Sequence, residues 1–303
     1  MSIDEDGFLA AFLPTLKADN TVIVPPGDDC AALDFGAGPL VLAAVDQIAA
    51  DAHYCGPDSA SPTPPELAGR KLLARNLSDI AAMGGTPRYA LTSIGMPSGA
   101  SAERLQEFAN GIRELAESHG VSLIGGDLGC TPSEGASLTI MGTVDRETIC
   151  LRDRAAVGDH IYVTGAFGNS LESGRHLTFT PRLEEGRWLA ERGLTCCMID
   201  TSDGLLKDLQ RVCKASKVQA VVDEDNVPIH EDATLDQALL DGEDYELIIA
   251  IPAKFSAQLP ELWPFPTPLT KIGRFQEGDA TIIDSQGTDL QTRHGSTFDH
   301  FKS

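Results

Sequence analysis

Apolar positions recur along this chain in two periods, and one stretch carries both a core pattern and an anomaly. Between Pro65 and Gly85, Leu73, Leu77 and Ile80 recur at helical spacing. Pro suits a first helical turn and the Gly84-Gly85 pair suits a stop, so the pattern predicts a helix over this stretch. Asn76 and Asp79, three residues apart, share a second face with Met83. An amide and a carboxylate beside a core-type residue are odd on a surface helix. A buried carboxylate needs a partner, and a cation is one such partner. The competing reading is a polar helix end with solvated side chains.

The same two periods divide the rest of the chain. Helical spacing marks Asp6 to Leu16, Ser101 to His119 with Ser101 as its cap, Leu183 to Arg192, and Leu205 to Lys214. Short apolar runs mark strands at 22–24, 39–46, 89–96, 121–127, 136–144, 160–164, 196–200, 220–223, 242–251 (with acids at its start), 271–275 and 280–284. Strands and helices alternate in both halves, which gives an α+β or mixed α/β class. The expected division is a first domain over 1–148 and a second over 149–303.

Several apolar runs end on an acid. Asp29, Asp46, Asp127 and Asp200 are expected at strand ends, with Asp79 on the helix. Strand ends at one sheet edge are where α/β proteins build sites, and carboxylates gathered there repel unless cations bind among them. Taken singly, each Asp is more often a turn or cap residue. Oxygen donors without a His/Cys cluster favour Mg²⁺ or Mn²⁺ over zinc, and Mg²⁺ pairs carboxylates with substrate phosphates. Gly27, Gly125, Gly126 and Gly204 stand beside these acids, where backbone can approach a phosphate.

Composition narrows this further. A formal charge of −22 argues against nucleic-acid or anionic-membrane binding by bulk electrostatics, so an anionic substrate needs metals or a local basic cluster. No apolar run approaches a membrane span and the first residues lack the basic start of a signal peptide. The seven cysteines are scattered with no C-x-x-C pair, which fits neither a disulfide framework nor a zinc site, and a reducing cytoplasm is the expected location. No G-x-x-x-x-G-K-[ST] loop, G-x-G-x-x-G turn or G-x-S-x-G elbow occurs. Residue-level reasoning stops at a metal-dependent phosphate enzyme of unknown substrate.

The motifs together resemble the thiamine-monophosphate kinases, a family of the aminoimidazole-ribonucleotide-synthetase-like ATP-binding superfamily. The resemblance rests on Gly27-Asp-Asp-Cys-Ala, Asn76-Leu-Ser-Asp-Ile-Ala-Ala-Met-Gly, Ile124-Gly-Gly-Asp, Leu151-Arg152 to Gly158-Asp159, Ile161-Tyr-Val-Thr-Gly165, Ile199-Asp-Thr-Ser-Asp-Gly-Leu205, Gly242-Glu-Asp-Tyr-Glu-Leu and Phe298-Asp-His-Phe, in that order. It implies a two-domain architecture, an N-terminal sheet forming a homodimer interface and a C-terminal α+β domain. It also implies ATP-dependent phosphorylation of thiamine monophosphate to thiamine diphosphate with several Mg²⁺ ions. Carried onto matching positions, Asp29, Asp46, Asp79, Asp127, Asp200 and Asp203 are the metal carboxylates. Gly126, Asp127, Arg152 and Ser202 contact ATP, and Asp79, Asp127, Arg152 and Asp200 form the catalytic set. His53, Glu243 and Phe298 contact thiamine phosphate.

The chain departs from the resemblance at Ala44-Val45, where hydroxyl residues are usual, at Arg75, where an apolar residue is usual, and in a shortened 168–181 segment. Two other readings stay open at this point. One is a superfamily enzyme acting on another small molecule, and the other is a catalytically weak nucleotide- or thiamine-binding regulator.

Overall fold

The runs of alternating and continuous apolar residues pair into two six-stranded sheets in the computed structural model, which describes residues 5–295. Phe298 lies outside the described residues. The first sheet contains β1 (Val22–Val24), β2 (Ala31–Leu33), β3 (Leu40–Ala49), β4 (Thr86–Met96), β5 (Ser122–Cys130) and β6 (Gly135–Val144), in the order β1-β2-β3-β6-β4-β5. The second contains β7 (His160–Thr164), β8 (Cys197–Asp200), β9 (Gln219–Val222), β10 (Leu247–Ile251), β11 (Leu269–Gln276) and β12 (Ile282–Ile283), in the order β12-β9-β11-β7-β10-β8. Among the described residues every pairing is antiparallel except β4–β5 and β9–β12. The architecture is therefore α+β rather than a doubly wound parallel sheet.

The helices of six residues or more among the described residues are α1 (Glu5–Phe12), α2 (Pro65–Ala82), α3 (Ala102–Ser118), α4 (Leu183–Glu191), α5 (Leu205–Ser216) and α6 (Leu235–Leu240). Helix α3 starts as expected, with the Ser101 hydroxyl accepting from the Arg104 backbone N–H.

Helix α2 joins the two halves. It packs on α3, β3 and β6 of the first half and on α4 and β8 of the second. Its predicted stripe of Leu73, Leu77 and Ile80 is fully buried, and so are Lys71, Asn76 and Ser78 on other faces. The solvated-end reading therefore fails, because a helix enclosed by neighbours on several sides has no polar face to give to water. Two glycines allow that enclosure. A Cβ on Gly69 would sit 2.0 Å from the Phe108 carbonyl oxygen, and one on Gly111 would sit 1.9 Å from that of Glu66. The helix stops in a Schellman arrangement: Gly84, at φ 67°, donates to Ala81 O and Gly85 donates to Ile80 O.

Two expected strand ends are strand interiors. Asp46 lies within β3, opposite Leu138, and Asp127 lies within β5, opposite Ser93. Each apolar run stopped at an acid only because the solvent-facing or site-facing residues took over, while the backbone ladder continued. Asp29 precedes β2 in a bend, and Asp200 alone of the four ends its strand. The seven cysteines are all free, and no described helix is long and apolar enough to cross a membrane.

Candidate active site

Strand β8 and helix α2 bring the key acids together because they pack directly against each other. One carboxylate oxygen from each of Asp29, Asp79 and Asp200 falls within a group spanning no more than 4.8 Å. Burial raises the pKa of Asp79 well above the carboxylate range, and the charges of Asp46, Asp200 and Asp29 add to it. Asp200 is raised likewise, first by burial and then by Asp29, although the Ser78 hydroxyl donates to its Oδ2 at 2.6 Å. Three oxygen donors at this spacing, electrostatically frustrated and with no thiol or imidazole among them, fit a hard divalent cation. Nearby on α2, the Asn76 amide nitrogen donates to Leu72 O, while Asn76 Oδ1 is buried with no hydrogen-bond partner among the described residues.

Arg152 closes this group on one side. Its Nη2 donates to Asp29 Oδ1 at 2.6 Å and its Nε to Asp29 Oδ2 at 3.2 Å, a two-pronged pair with a carboxylate whose side chain is fully buried. Its neighbours in sequence, Asp153 and Asp159, form no ion pair with it among the described residues. The backbone N–H of Arg152 also donates to Asp28, whose carboxyl is pushed up to about 7 by burial and by Asp29.

Arg152, which holds Asp29, also lines a cavity of about 640 Å³, and the three acids themselves lie behind its wall. His53, Arg152, Ser202, Asp203 and Glu243, all expected site residues, line it. So do Arg75, Arg211 and Lys214, which form the local basic cluster that an anionic ligand of so acidic a chain requires. Leu9 and Leu13 from the N-terminal helical segment border it, as does Leu171 from the 168–181 segment.

Other expected residues are already engaged. Asp46 accepts from Arg75 Nη2 at 3.2 Å. Asp203 pairs with Arg211 and, at 3.4 Å, with Lys207. Glu243, at φ 70°, pairs with the fully buried Lys71, whose Nζ also lies 2.7 Å from His176 Nδ1 and donates to His53 O at 2.6 Å. Burial works to raise the Glu243 pKa, but His176, Lys71 and Arg75 hold it down to about 2. The acids expected at the start of β10 precede it instead, and each has its own cation: Glu243 with Lys71, Asp244 with Arg175, Glu246 with Arg182. His53 Nδ1 accepts from the Ala49 N–H.

Gly126 and Asp127 stand apart from the three-acid group, on an edge strand exposed at all nine positions. A Cβ on Gly126 would sit 2.3 Å from the Thr92 carbonyl oxygen, so close strand packing already demands this glycine. Ser78, Lys71 and Arg211 escaped sequence reasoning. Ser78 and Lys71 left one usable signal, a polar side chain inside a helix whose other residues read as core.

Comparison with known proteins places this site in a class. Residues 27–144 match the family described as AIR synthase related protein, N-terminal domain, and residues 157–284 match its C-terminal domain. The class is thus that of the AIR synthase related proteins, with both domains in order. The chain is 34% identical to a thiamine-monophosphate kinase of Rhodopirellula baltica, covering 89% of each chain, and 31% identical to one of Bacillus subtilis, covering 91% of this chain and 92% of the other. The crystal structure of thiamine-monophosphate kinase from Stenotrophomonas maltophilia superposes with a TM-score of 0.75 at 32% identity, covering 96% of this chain and 99% of that one. AaThiL complexed with AMPPCP and TMP superposes with a TM-score of 0.82 over 95% of this chain and 94% of that one, and at 24% identity shows the fold alone. The chain belongs to the thiamine-monophosphate kinase family.

Proposed function

We propose that this chain transfers the terminal phosphoryl group of ATP to thiamine monophosphate, giving thiamine diphosphate and ADP, with Mg²⁺ held by Asp29, Asp79 and Asp200. The observation that carries the reading is this three-carboxylate group beside a cavity with a basic lining. Relatives at 34% and 31% identity over most of the chain bear the name thiamine-monophosphate kinase, and AaThiL has been solved with AMPPCP and TMP.

The attacking atom is a phosphate oxygen of thiamine monophosphate, which is already anionic near neutral pH, so no general base is required. It bonds to the γ-phosphorus as the bond to the β–γ bridging oxygen breaks, and the electron pair leaves with ADP. Mg²⁺ would neutralise the triphosphate charge in this acidic chain. The residues then have positioning and electrostatic work. Arg152 would exchange part of its hold on Asp29 for phosphate oxygens, and Ser202, Arg211 and Lys214 would orient the anionic groups. Glu243 keeps its negative charge through neutral pH and so suits the thiazolium cation, with His53 beside it on the same Lys71 ammonium. Gly126 and Asp127 are assigned to ATP contact on the resemblance, as Asp46 and Asp203 are to metal. The domain division is assigned to 148–149, between β6 and β7.

A homodimer through the first sheet is supported by its outer face. Val45, Tyr89 and Leu91 are exposed there on β3 and β4, and the edge strand β5 adds exposed Leu123, Ile124 and Leu128 beside them.

The test is direct: purified protein with ATP, Mg²⁺ and thiamine monophosphate should form ADP and thiamine diphosphate in equal amounts, and EDTA should abolish both. ADP release without thiamine diphosphate, or no turnover with both ligands bound in calorimetry, would exclude the assignment.

The raised carboxyls also set a pH dependence. A carboxyl whose folded pKa lies above its unfolded value adds stability at low pH, and that contribution is lost as pH rises through the folded pKa. Asp79 and Asp200 are shifted this way, so they weaken the metal-free fold increasingly toward alkaline pH. Mg²⁺ needs both ionised and offsets their repulsion. The rise in melting temperature on adding Mg²⁺ should be larger at about pH 8 than at about pH 6. An equal rise at both would mean that the ion binds elsewhere.

A further inference from the structure

We propose that the Arg75 guanidinium serves as a built-in cation at Asp46, taking the place of a divalent ion there and confining the metal centre to Asp29, Asp79 and Asp200. This rests on the metal reading given above and narrows it.

Arg75 lies on α2 one turn before Asp79, so its side chain starts on the wall that carries the three-acid group. Its Nη1 donates to Gln47 O at 2.9 Å and its Nη2 to Asp46 Oδ1 at 3.2 Å, which clamps it on β3. Its side chain is 11% exposed and that of Asp46 25%, so neither is a loose surface group. Arg75 Nε is buried with no hydrogen-bond partner among the described residues, and the head sits in the cavity wall.

The surroundings of Asp46 suit a guanidinium better than a magnesium ion. Mg²⁺ requires about six oxygen ligands in a near-octahedral shell. On β3 the residues that share the face of Asp46 are Ala44 and Ile48, neither with a side-chain oxygen. Of the other acids that act on Asp46 or feel its charge, Glu243 is held by Lys71, Asp203 by Arg211, and Asp79 belongs to the three-acid group. A divalent ion at Asp46 would have to share Asp79 with the three-acid group and would stand against a fixed positive charge. A guanidinium gives that carboxylate one hydrogen bond and the Gln47 carbonyl another, is only weakly hydrated, and cannot be lost by dilution.

Manganese titration followed by the electron paramagnetic resonance signal of free Mn²⁺, without nucleotide, counts the sites. Arg75→Met, which keeps the stem volume, should bind one more Mn²⁺ per chain than the wild type, and Arg75→Lys should bind the wild-type number. Added Mn²⁺ should also raise the melting temperature of Arg75→Met more than that of the wild type. A folded Arg75→Met with the wild-type count overturns the proposal. Should that variant fail to fold, Asp46→Asn decides: an unchanged count supports the proposal, and a count lower by one shows that Asp46 is a metal ligand and overturns it. A wild type that binds no Mn²⁺ removes the metal reading itself, an outcome distinct from the others.

Discussion

Asp79→Asn should lower kcat for phosphoryl transfer by more than about a hundredfold, the range that loss of one preorganised electrostatic group costs, while leaving the metal-free protein at least as stable as the wild type. The two effects share one cause. Asp79 lies between Asp46, Asp200 and Asp29, whose charges, with burial, drive its pKa up. The amide keeps the shape of the side chain and removes the charge, so repulsion in the metal-free protein falls. The same change removes one of the three oxygens grouped within 4.8 Å and with it the charge that would bind a cation. Steady-state kinetics together with thermal melts with and without Mg²⁺ check both halves. A variant that unfolds would show that Asp79 holds the helix in place, and one that keeps full activity would remove it from the catalytic set.

Arg152→Met should behave in the opposite way on stability while also costing activity. Methionine retains an apolar stem, so the change isolates the guanidinium. Turnover should fall by about a thousandfold, the lower range for an arginine that neutralises a transferring phosphoryl group. The metal-free protein should lose about 3 kcal/mol, because Asp29 is then a fully buried carboxylate without its two-pronged partner and Asp28 loses its neighbouring charge. Mg²⁺ should restore part of that loss. Denaturant melts with and without the ion measure it. If Mg²⁺ stabilises this variant no more than the wild type, Asp29 does not ligate it.

The contrast between these variants shows how the site is balanced. Its acids are not alike: among the described residues Asp79 and Asp200 form no ion pair, whereas Asp29, Asp46, Asp203 and Glu243 each touch an arginine or lysine. The former depend wholly on neutralisation from outside, and Asp29 can join them when Arg152 turns to phosphate.

Much of this was legible before folding was considered. The stop of α2 at Gly84-Gly85, the Ser101 cap and the apolar runs that became strands follow from local rules, because a turn or a ladder is decided by neighbours a few residues away. The identity of Asp29, Asp79 and Asp200 as candidates was also in reach, since each is an acid attached to a core-type run. Misplacing Asp46 and Asp127 at strand ends was a limit of the same logic. An apolar run stops where burial stops, but a strand stops where its hydrogen bonds stop.

What the sequence by itself determined is the set of elements, the oxygen-only chemistry and the membership of a family. Tertiary structure decided which acids keep a cation of their own. Arg152 reaches Asp29 across 123 residues of chain, Arg75 reaches Gln47 and Asp46 across 28 and 29, and Lys71 meets a glutamate from the other half of the molecule. Charge compensation depends on separation in space, which falls steeply in its effect with distance and dielectric, and no local pattern encodes which distant side chain will arrive. The helix around Asp79 announced itself in the sequence; that Arg75, one turn earlier on it, fills the place beside Asp46 could be seen only once β3 lay against it.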